Sequence, residues 1–95
     1  YRKAAAHGHP DAQNNLGLMY RKGEGVSQDY AEALDWFLKA AKRGHPLAQY
    51  NLGNMYLQGL GTKPDPEQAR KWFREAARAG HKGASKALET LEAGS

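Results

Sequence analysis

A 36-residue repeat is the feature of this sequence that most limits how the chain can fold. Residues 8–43 align without a gap on residues 44–79, and 18 of the 36 positions are identical. A fixed period of about 20–50 residues is typical of stacked supersecondary units, each of which contacts mainly its neighbours. The chain is therefore expected to form a solenoid of repeats rather than a closed globule.

Within each repeat, the residue pattern predicts two helices. The first runs over about residues 10–21 and 46–57, where proline occupies the first helical position and apolar residues follow at helical spacing. The second begins after Asp29 or Asp65, each of which starts a capping box with Glu or Gln three residues later. Because the connection from one repeat to the next is short, neighbouring helices should be antiparallel.

Glycines mark the ends of these elements and one position inside them. The two G-x-G loops lack the third glycine and the lysine of a phosphate-binding loop, so we interpret them as turns with positive φ. Gly17 and Gly53 lie within the first helices, where each should cost about 1 kcal/mol relative to alanine. Close approach of a neighbouring helix is the expected compensation.

The remaining segments follow the same period. Glu89 stands in the last helix where the repeats have glycine, and a more charged face suits the terminal helix of a solenoid. We interpret residues 1–95 as a single repeat domain. Its parts are the end of a preceding second helix (1–7), repeat one (8–43), repeat two (44–79), a terminal capping helix (80–93) and a tail (94–95).

Composition is that of a folded rather than a disordered chain, with 40% apolar and 25% charged residues. No apolar run approaches the roughly 18 residues that span a bilayer, and no targeting leader is visible. The chain starts at Tyr1 in the middle of the pattern, as expected for a piece of a longer protein. The absence of cysteine excludes disulfides and thiolate metal sites. A net charge of +4 is too small to indicate nucleic-acid binding.

These motifs resemble the Sel-one-like repeat family, a relative of the tetratricopeptide repeats. The motifs are A-x-x-x-L-G-x-M-Y, the G-x-G loop and an Asp followed by A-x-x-W-F-x-x-A-A, at residues 12–20, 23–25 and 29–41 and again at 48–56, 59–61 and 65–77. The sequence departs from the family at Thr62, where a valine-like residue is usual, and at Glu89. The resemblance implies an all-α, right-handed superhelix of antiparallel helix pairs that serves as an adaptor surface for proteins or peptides.

Positions that differ between the two repeats on the first helix fall on one helical face, because their spacings are three, four, three and one residues. Residues fixed by stacking stay the same, whereas residues that face away are free to differ. In solenoids of helix pairs the first helix lines the concave side. We therefore expect an exposed, partner-binding groove, although ordinary variation of a solvent-facing surface remains an alternative. The groove residues are Asp11, Asn14, Leu18, Arg21, Lys22, Leu47, Tyr50, Asn54, Leu57 and Gln58.

Repeated polar residues lie near this face. Asn15 and Asn51 either hold an extended peptide backbone or bond to the neighbouring helix, and the sequence leaves both interpretations open. His9, His45 and His81 recur at one turn of each repeat. Stacked helices lie about 8–10 Å apart, whereas zinc binds nitrogen at about 2 Å, so equivalent histidines are not expected to share a metal ion.

Aromatic residues recur at the same period and are interpreted as core between the repeats rather than as a ligand box. They are Tyr20, Trp36, Tyr56 and Trp72. Arg70, Arg74 and Arg78 form a basic stripe in the second repeat only. We interpret it as a solvated outer face rather than an RNA or acidic-lipid patch, since no exposed stacking aromatics accompany it. Neither nucleic acid nor a membrane is expected as a partner.

Catalysis is not expected, because no nucleophile, base and orienting group converge in the pattern, and no cofactor or metal is implied. The first functional hypothesis is a non-catalytic adaptor that binds a protein or peptide segment in the groove lined by the first helices. Two alternatives stay open. One is a bacterial cell-envelope module that contacts peptidoglycan, as the resemblance suggests. The other is an architectural or engineered repeat segment with weak self-association through its open ends.

Overall fold

The computed structural model describes residues 8–93, which form five α-helices and no strand. The helices are α1 (Pro10–Lys22), α2 (Tyr30–Lys42), α3 (Pro46–Gln58), α4 (Pro66–Arg78) and α5 (Lys82–Ala93). The predicted bounds agree with these to within about two residues. The interpretations of residues 1–7 and 94–95 lie outside the described part. No described helix combines the length and the apolar character that crossing a membrane requires.

The helices stack in sequence order, and each packs against the next. α2 begins beside the end of α1, because the amide of Asp29 donates to the carbonyl of Tyr20 at 2.8 Å. The middles of the two helices also meet, where Phe37 of α2 covers Gly17 of α1. The two helices are therefore antiparallel, and α3 and α4 repeat the arrangement. The molecule is elongated, with extents of 40 × 25 × 16 Å, and the predicted all-α solenoid is confirmed.

The closest contact within each pair places a phenylalanine ring on a helical glycine. A Cβ atom added to Gly17 would lie 2.7 Å from the ring of Phe37, and one added to Gly53 would lie 2.7 Å from the ring of Phe73. Both rings are fully buried. The prediction that close helix approach compensates for these two glycines is confirmed.

Successive repeats share a core at their junction. One cluster joins Phe37 and Ala41 of α2 to Leu52 and Met55 of α3 and to Trp72 of α4. Side chains from three helices thus exclude water from a single apolar volume. Because this burial needs both repeats, neither repeat completes its core alone.

The recurring aromatic residues lie in or against three apolar clusters, namely the one just described, one at α1 and one between α4 and α5, as the sequence predicts. Trp72 is buried, whereas Trp36 is half-buried against α1. Tyr20 and Tyr56 are half-buried and pack on the same apolar clusters. The interpretation of these residues as core rather than as a ligand box is therefore supported by their contacts.

The loops follow the predicted chemistry, whereas each capping box forms only in half, since the amides of Asp29 and Asp65 donate to the carbonyls of Tyr20 and Tyr56 instead. The glycines of the G-x-G loops have φ between 72° and 77°, which confirms the positive-φ turns. The carboxylate of Asp29 accepts from the Glu32 amide, and that of Asp65 accepts from the Gln68 amide, each at 3.2 Å. These bonds fix where α2 and α4 begin, and therefore how each second helix lies on its first helix.

Candidate partner-binding surface

α3 carries the more exposed half of the predicted groove. Leu47 is 43% exposed and Leu57 is 37% exposed, at opposite ends of the helix. At 1.5 Å per residue, they are separated by about 15 Å along the helix axis. Gln58 is exposed beside Leu57, and Asn54 is half-buried between the two leucines. This face therefore offers two apolar points with amide groups near them.

Tyr50 lies on the same face but is partly engaged in packing. Its ring centroid is 4.6 Å from that of His81, in a stacked arrangement, and 5.8 Å from that of Phe73. The residue is half-buried as a result. Tyr50 is thus held by α4 and by the turn before α5, and presents part of its surface to solvent.

α1 supplies the other half of the groove, with one difference from the prediction. Asp11 and Lys22 are exposed, and Leu18 and Arg21 are half-buried. The prediction that Asn14 is exposed is wrong, since its side chain is buried. The residues that remain accessible at this face of α1 are mainly polar or charged, in contrast to the two leucines of α3.

The burial of Asn14 has a clear cause. Its Oδ1 accepts a hydrogen bond of 3.0 Å from Nδ2 of Asn51, and both residues are buried at the junction of the two repeats. The equivalent position in the second repeat is Tyr50, which contacts the following unit. Positions 14 and 50 therefore both pack at a junction between units, and of the two residues only Tyr50 keeps part of its surface in solvent.

The two repeated asparagines have different environments. Asn51 bonds to the neighbouring helix, which is one of the two interpretations that the sequence left open. Asn15 is exposed on α1. Asn51 is therefore used for packing between repeats, and only Asn15 stays accessible to a partner.

The histidines are helix N-caps, a role that the sequence reasoning missed. Nδ1 of His45 accepts from the amide of Ala48 at 3.1 Å, and Nδ1 of His81 accepts from the amide of Ala84 at 3.0 Å. The side chain of His9 makes no such bond to α1. The sequence position of the histidines could have revealed this role, because the residue directly before a proline at the first helical position is the N-cap.

His45 also joins the two repeats. Its Nε2 lies 2.6 Å from Oδ1 of Asp11. Because Nδ1 accepts a hydrogen bond from an amide, the proton of the neutral ring is on Nε2, and Nε2–H donates to the carboxylate. One imidazole thus caps α3 and binds an acidic group of α1.

His45 and His9 occupy equivalent positions before α3 and α1, and a comparison of the two tests the role of His45. We expect His45→Ala to lower the free energy of unfolding by about 1–2 kcal/mol, since it removes the cap and the bond to Asp11. His9→Ala should change it by less than about 0.5 kcal/mol, because His9 makes no cap bond. Urea denaturation followed by circular dichroism measures both values. Equal effects of the two substitutions would contradict the assigned role of His45.

The pKa of Tyr56 is shifted by the position of this residue in the fold. Burial raises the pKa of Tyr56 above its ordinary value of 10.0, and the negative charge of Asp65 raises it further. The folded protein therefore favours the neutral phenol. Any stability that this preference provides is present below about pH 10 and is lost as the pH rises through the raised pKa.

Pockets and clusters of metal-binding side chains were sought among the described residues. No pocket is found among residues 8–93. Within the same residues, no three or more histidine, aspartate or glutamate side chains are placed to hold a metal ion.

The basic stripe lies on α4, the second helix of its repeat. Arg74 and Arg78 are exposed, and Arg70 is half-buried. The guanidinium of Arg78 is 3.5 Å from the carboxylate of Glu75, and that of Arg74 is 3.9 Å from that of Glu92. Carboxylates from the same chain thus offset part of the charge, as expected for a solvated outer face.

Comparison with solved structures finds similar folds. A Sel1 repeat protein from Oxalobacter formigenes matches with a TM-score of 0.91 and 42% identity over 94% of this chain and 67% of that one. A protective antigen of uropathogenic Escherichia coli strains with an SLR (Sel-one-like repeat) fold matches with a TM-score of 0.89 and 49% identity. Cysteine-rich protein B of Helicobacter pylori matches with a TM-score of 0.79 and 28% identity.

All three matches involve longer proteins. The aligned part covers 90% of this chain but 18% of the Escherichia coli antigen, and 83% of this chain but 59% of the Helicobacter pylori protein. A comparison with curated proteins gives no match. The profile of the Sel1 repeat matches residues 1–9, 10–45 and 46–81, which is most of the sequence. The chain therefore belongs to the Sel1 repeat family.

Proposed function

We propose that this chain is a non-catalytic adaptor that binds a peptide or protein segment along the exposed face of α1 and α3. Sel1 repeat proteins generally mediate protein–protein interactions and are typically scaffolds without catalytic activity. The proposal assigns the contact to one face of this chain. The contacting residues are Asp11, Leu18, Arg21, Lys22, Leu47, Tyr50, Asn54, Leu57 and Gln58.

The observation that carries the proposal is the exposure of Leu47 and Leu57. Among the described residues, the large apolar side chains classed as exposed are Tyr30, Leu47 and Leu57. Two of the three thus lie on one face of one helix, at positions that differ between the repeats. Apolar side chains that stay in water on a rigid helix can bury their surface on a partner with little loss of their own conformational freedom.

The spacing of these leucines limits the size of the contact. The separation of about 15 Å along α3 corresponds to four or five residues of an extended chain, at about 3.3 Å per residue. Asn54 and Gln58 lie between or beside the leucines and offer amide donors and acceptors. A short extended segment with two apolar side chains fits this surface.

A displayed library of random peptides tests the proposal. We expect peptides that bind the wild-type chain to lose about tenfold or more in affinity for Leu57→Ala and for Leu47→Ala, since each substitution removes an apolar anchor. Tyr30→Ala is the matched control, because Tyr30 is 37% exposed, as is Leu57, but lies on α2. Calorimetry gives the affinities, and circular dichroism verifies that the variants are helical.

Two outcomes would refute the proposed surface. One is a set of selected peptides whose affinity is unchanged by both leucine substitutions. The other is a larger loss for Tyr30→Ala than for Leu57→Ala, which would move the contact to the second helices.

A further inference from the structure

The first junction between repeats shows how this fold binds a carboxylate. Nδ1 of His45 accepts the amide of Ala48 and holds the ring at the start of α3, so that Nε2–H is directed away from the cap. Oδ1 of Asp11 accepts from it at 2.6 Å. The site is thus a capping histidine with a carboxylate from the preceding first helix.

The second junction repeats the histidine but not the carboxylate. His81 caps α5 through Nδ1, as His45 caps α3. The position equivalent to Asp11 is Leu47, which has no hydrogen-bonding group. Among residues 8–93, no acceptor is found for Nε2–H of His81. The ring is nevertheless fixed, since it stacks on Tyr50 at 4.6 Å.

We propose that His81 binds a carboxylate of the partner peptide, in the place that Asp11 occupies at His45. This inference rests on the proposed function, because it assigns one contact within the same groove. The carboxylate comes from a glutamate or aspartate side chain or from the C-terminus of the peptide. Its oxygen accepts the hydrogen bond that Nε2–H of His81 lacks.

The surrounding charge favours an anion at this position. The first turn of α5 contains no acidic residue, and its first residue is the exposed Lys82. The amide groups at a helix N-terminus carry a partial positive charge, which adds to that of the lysine. The first turn of α3 likewise contains no acidic residue, and there Asp11 supplies the carboxylate from the preceding first helix.

The position of Leu47 links this contact to the apolar part of the groove. Leu47 is exposed and occupies the place from which Asp11 reaches the histidine of the next repeat. A peptide side chain that packs on Leu47 therefore brings its neighbours close to His81. The expected ligand is a peptide with an apolar residue and a carboxylate one or two residues away.

Three synthetic peptides test the site. The first is acetyl-Ala-Leu-Ala-Glu-Ala-Ala-amide, the second has glutamine in place of glutamate, and the third is acetyl-Ala-Leu-Ala-Ala with a free carboxylate. NMR titration of the histidine ring signals gives the site and the affinity. We expect the glutamate peptide to bind about tenfold more tightly than the glutamine peptide, since a charged acceptor strengthens the bond. The third peptide shows whether a terminal carboxylate binds more tightly than a side chain.

Three variants use the two junctions as controls for each other. Leu47→Asp supplies an internal carboxylate and should abolish the preference for glutamate over glutamine, which loss of the leucine alone would leave in place. Asp11→Leu removes the internal carboxylate and should make His45 respond as a second site. His81→Ser keeps an N-cap but removes Nε2–H, and should reduce the preference for glutamate over glutamine.

Several results would refute the carboxylate site at His81 without refuting the proposed binding face of α1 and α3. Equal binding of the glutamate and glutamine peptides is one, and an unchanged preference for glutamate over glutamine in Leu47→Asp is another. Absence of glutamate-peptide binding at millimolar concentration, while library-selected peptides still bind, is a third. In each case the proposed function stands if the library-selected peptides still bind Leu57→Ala more weakly than the wild-type chain. If those peptides bind Leu57→Ala and the wild-type chain equally well, the proposed function is refuted as well.

Discussion

Phe73→Ala is expected to lower the free energy of unfolding by about 3–5 kcal/mol. The ring is fully buried, covers Gly53 of α3 and forms a cluster with alanines of α4 and α5. Its removal would leave a cavity between two helices that are in close contact, and the glycine could not fill it. Since domains of this size are typically stable by about 5–15 kcal/mol, the loss is a large part of the total.

Urea denaturation followed by far-UV circular dichroism measures this loss. Tyr30→Ala removes an aromatic side chain that is 37% exposed, and we expect it to cost less than about 1 kcal/mol. Hydrogen exchange adds a spatial readout, because protection should fall most in α3, α4 and α5. A loss of under about 1 kcal/mol for Phe73→Ala would mean that the ring does not hold these helices together.

Gly61→Ala is expected to destabilise the fold more than Gly25→Ala, although both glycines occupy the same loop position. Their φ angles are alike, at 77° and 75°, so the conformational cost should be about 1–2 kcal/mol in each. The difference lies in the contact. A Cβ on Gly61 would lie 2.5 Å from the carbonyl oxygen of Tyr30 in the preceding repeat, whereas one on Gly25 would meet only Met19 Cε at 3.4 Å.

The extra cost of Gly61→Ala should be about 1–3 kcal/mol, because backbone cannot move aside as a flexible methionine can. Parallel denaturation of the two variants isolates this term, since the shared φ cost cancels. The comparison asks whether the second loop packs on the start of α2. Equal destabilisation by the two substitutions would show that the loop does not press against Tyr30.

Much of the fold could be predicted because the same structural signals occur at equivalent positions of both repeats. Proline after His9 and His45, and aspartate at positions 29 and 65, give helix starts at one period. Gly17 and Gly53 each appear unfavourable within a helix until a close neighbour is assumed, and Phe37 and Phe73 are that neighbour. These signals depend on local chemistry, which repeats with the sequence.

The candidate surface was less predictable, because it depends on which repeat follows. Asn14 and Tyr50 differ in sequence and were both assigned to the free face, yet Asn14 is buried by its bond to Asn51. His45 at this junction caps α3 and bonds to Asp11. To predict this bond from the sequence, one would have to know that the N-cap of the second repeat lies beside the first helix of the first repeat. A rule based on variation alone cannot separate a junction from a solvent-facing position.

Methyl NMR of the chain with a library-selected peptide tests the central claim, that the variable face of the first helices is the contact surface. The account predicts that the methyl signals of Leu47 and Leu57 shift most on binding. The methyl signals of Leu34 and Leu38 should stay nearly unchanged, because these residues of α2 pack against the core between repeats. Large shifts at Leu34 and Leu38, with Leu47 and Leu57 unaffected, would contradict it.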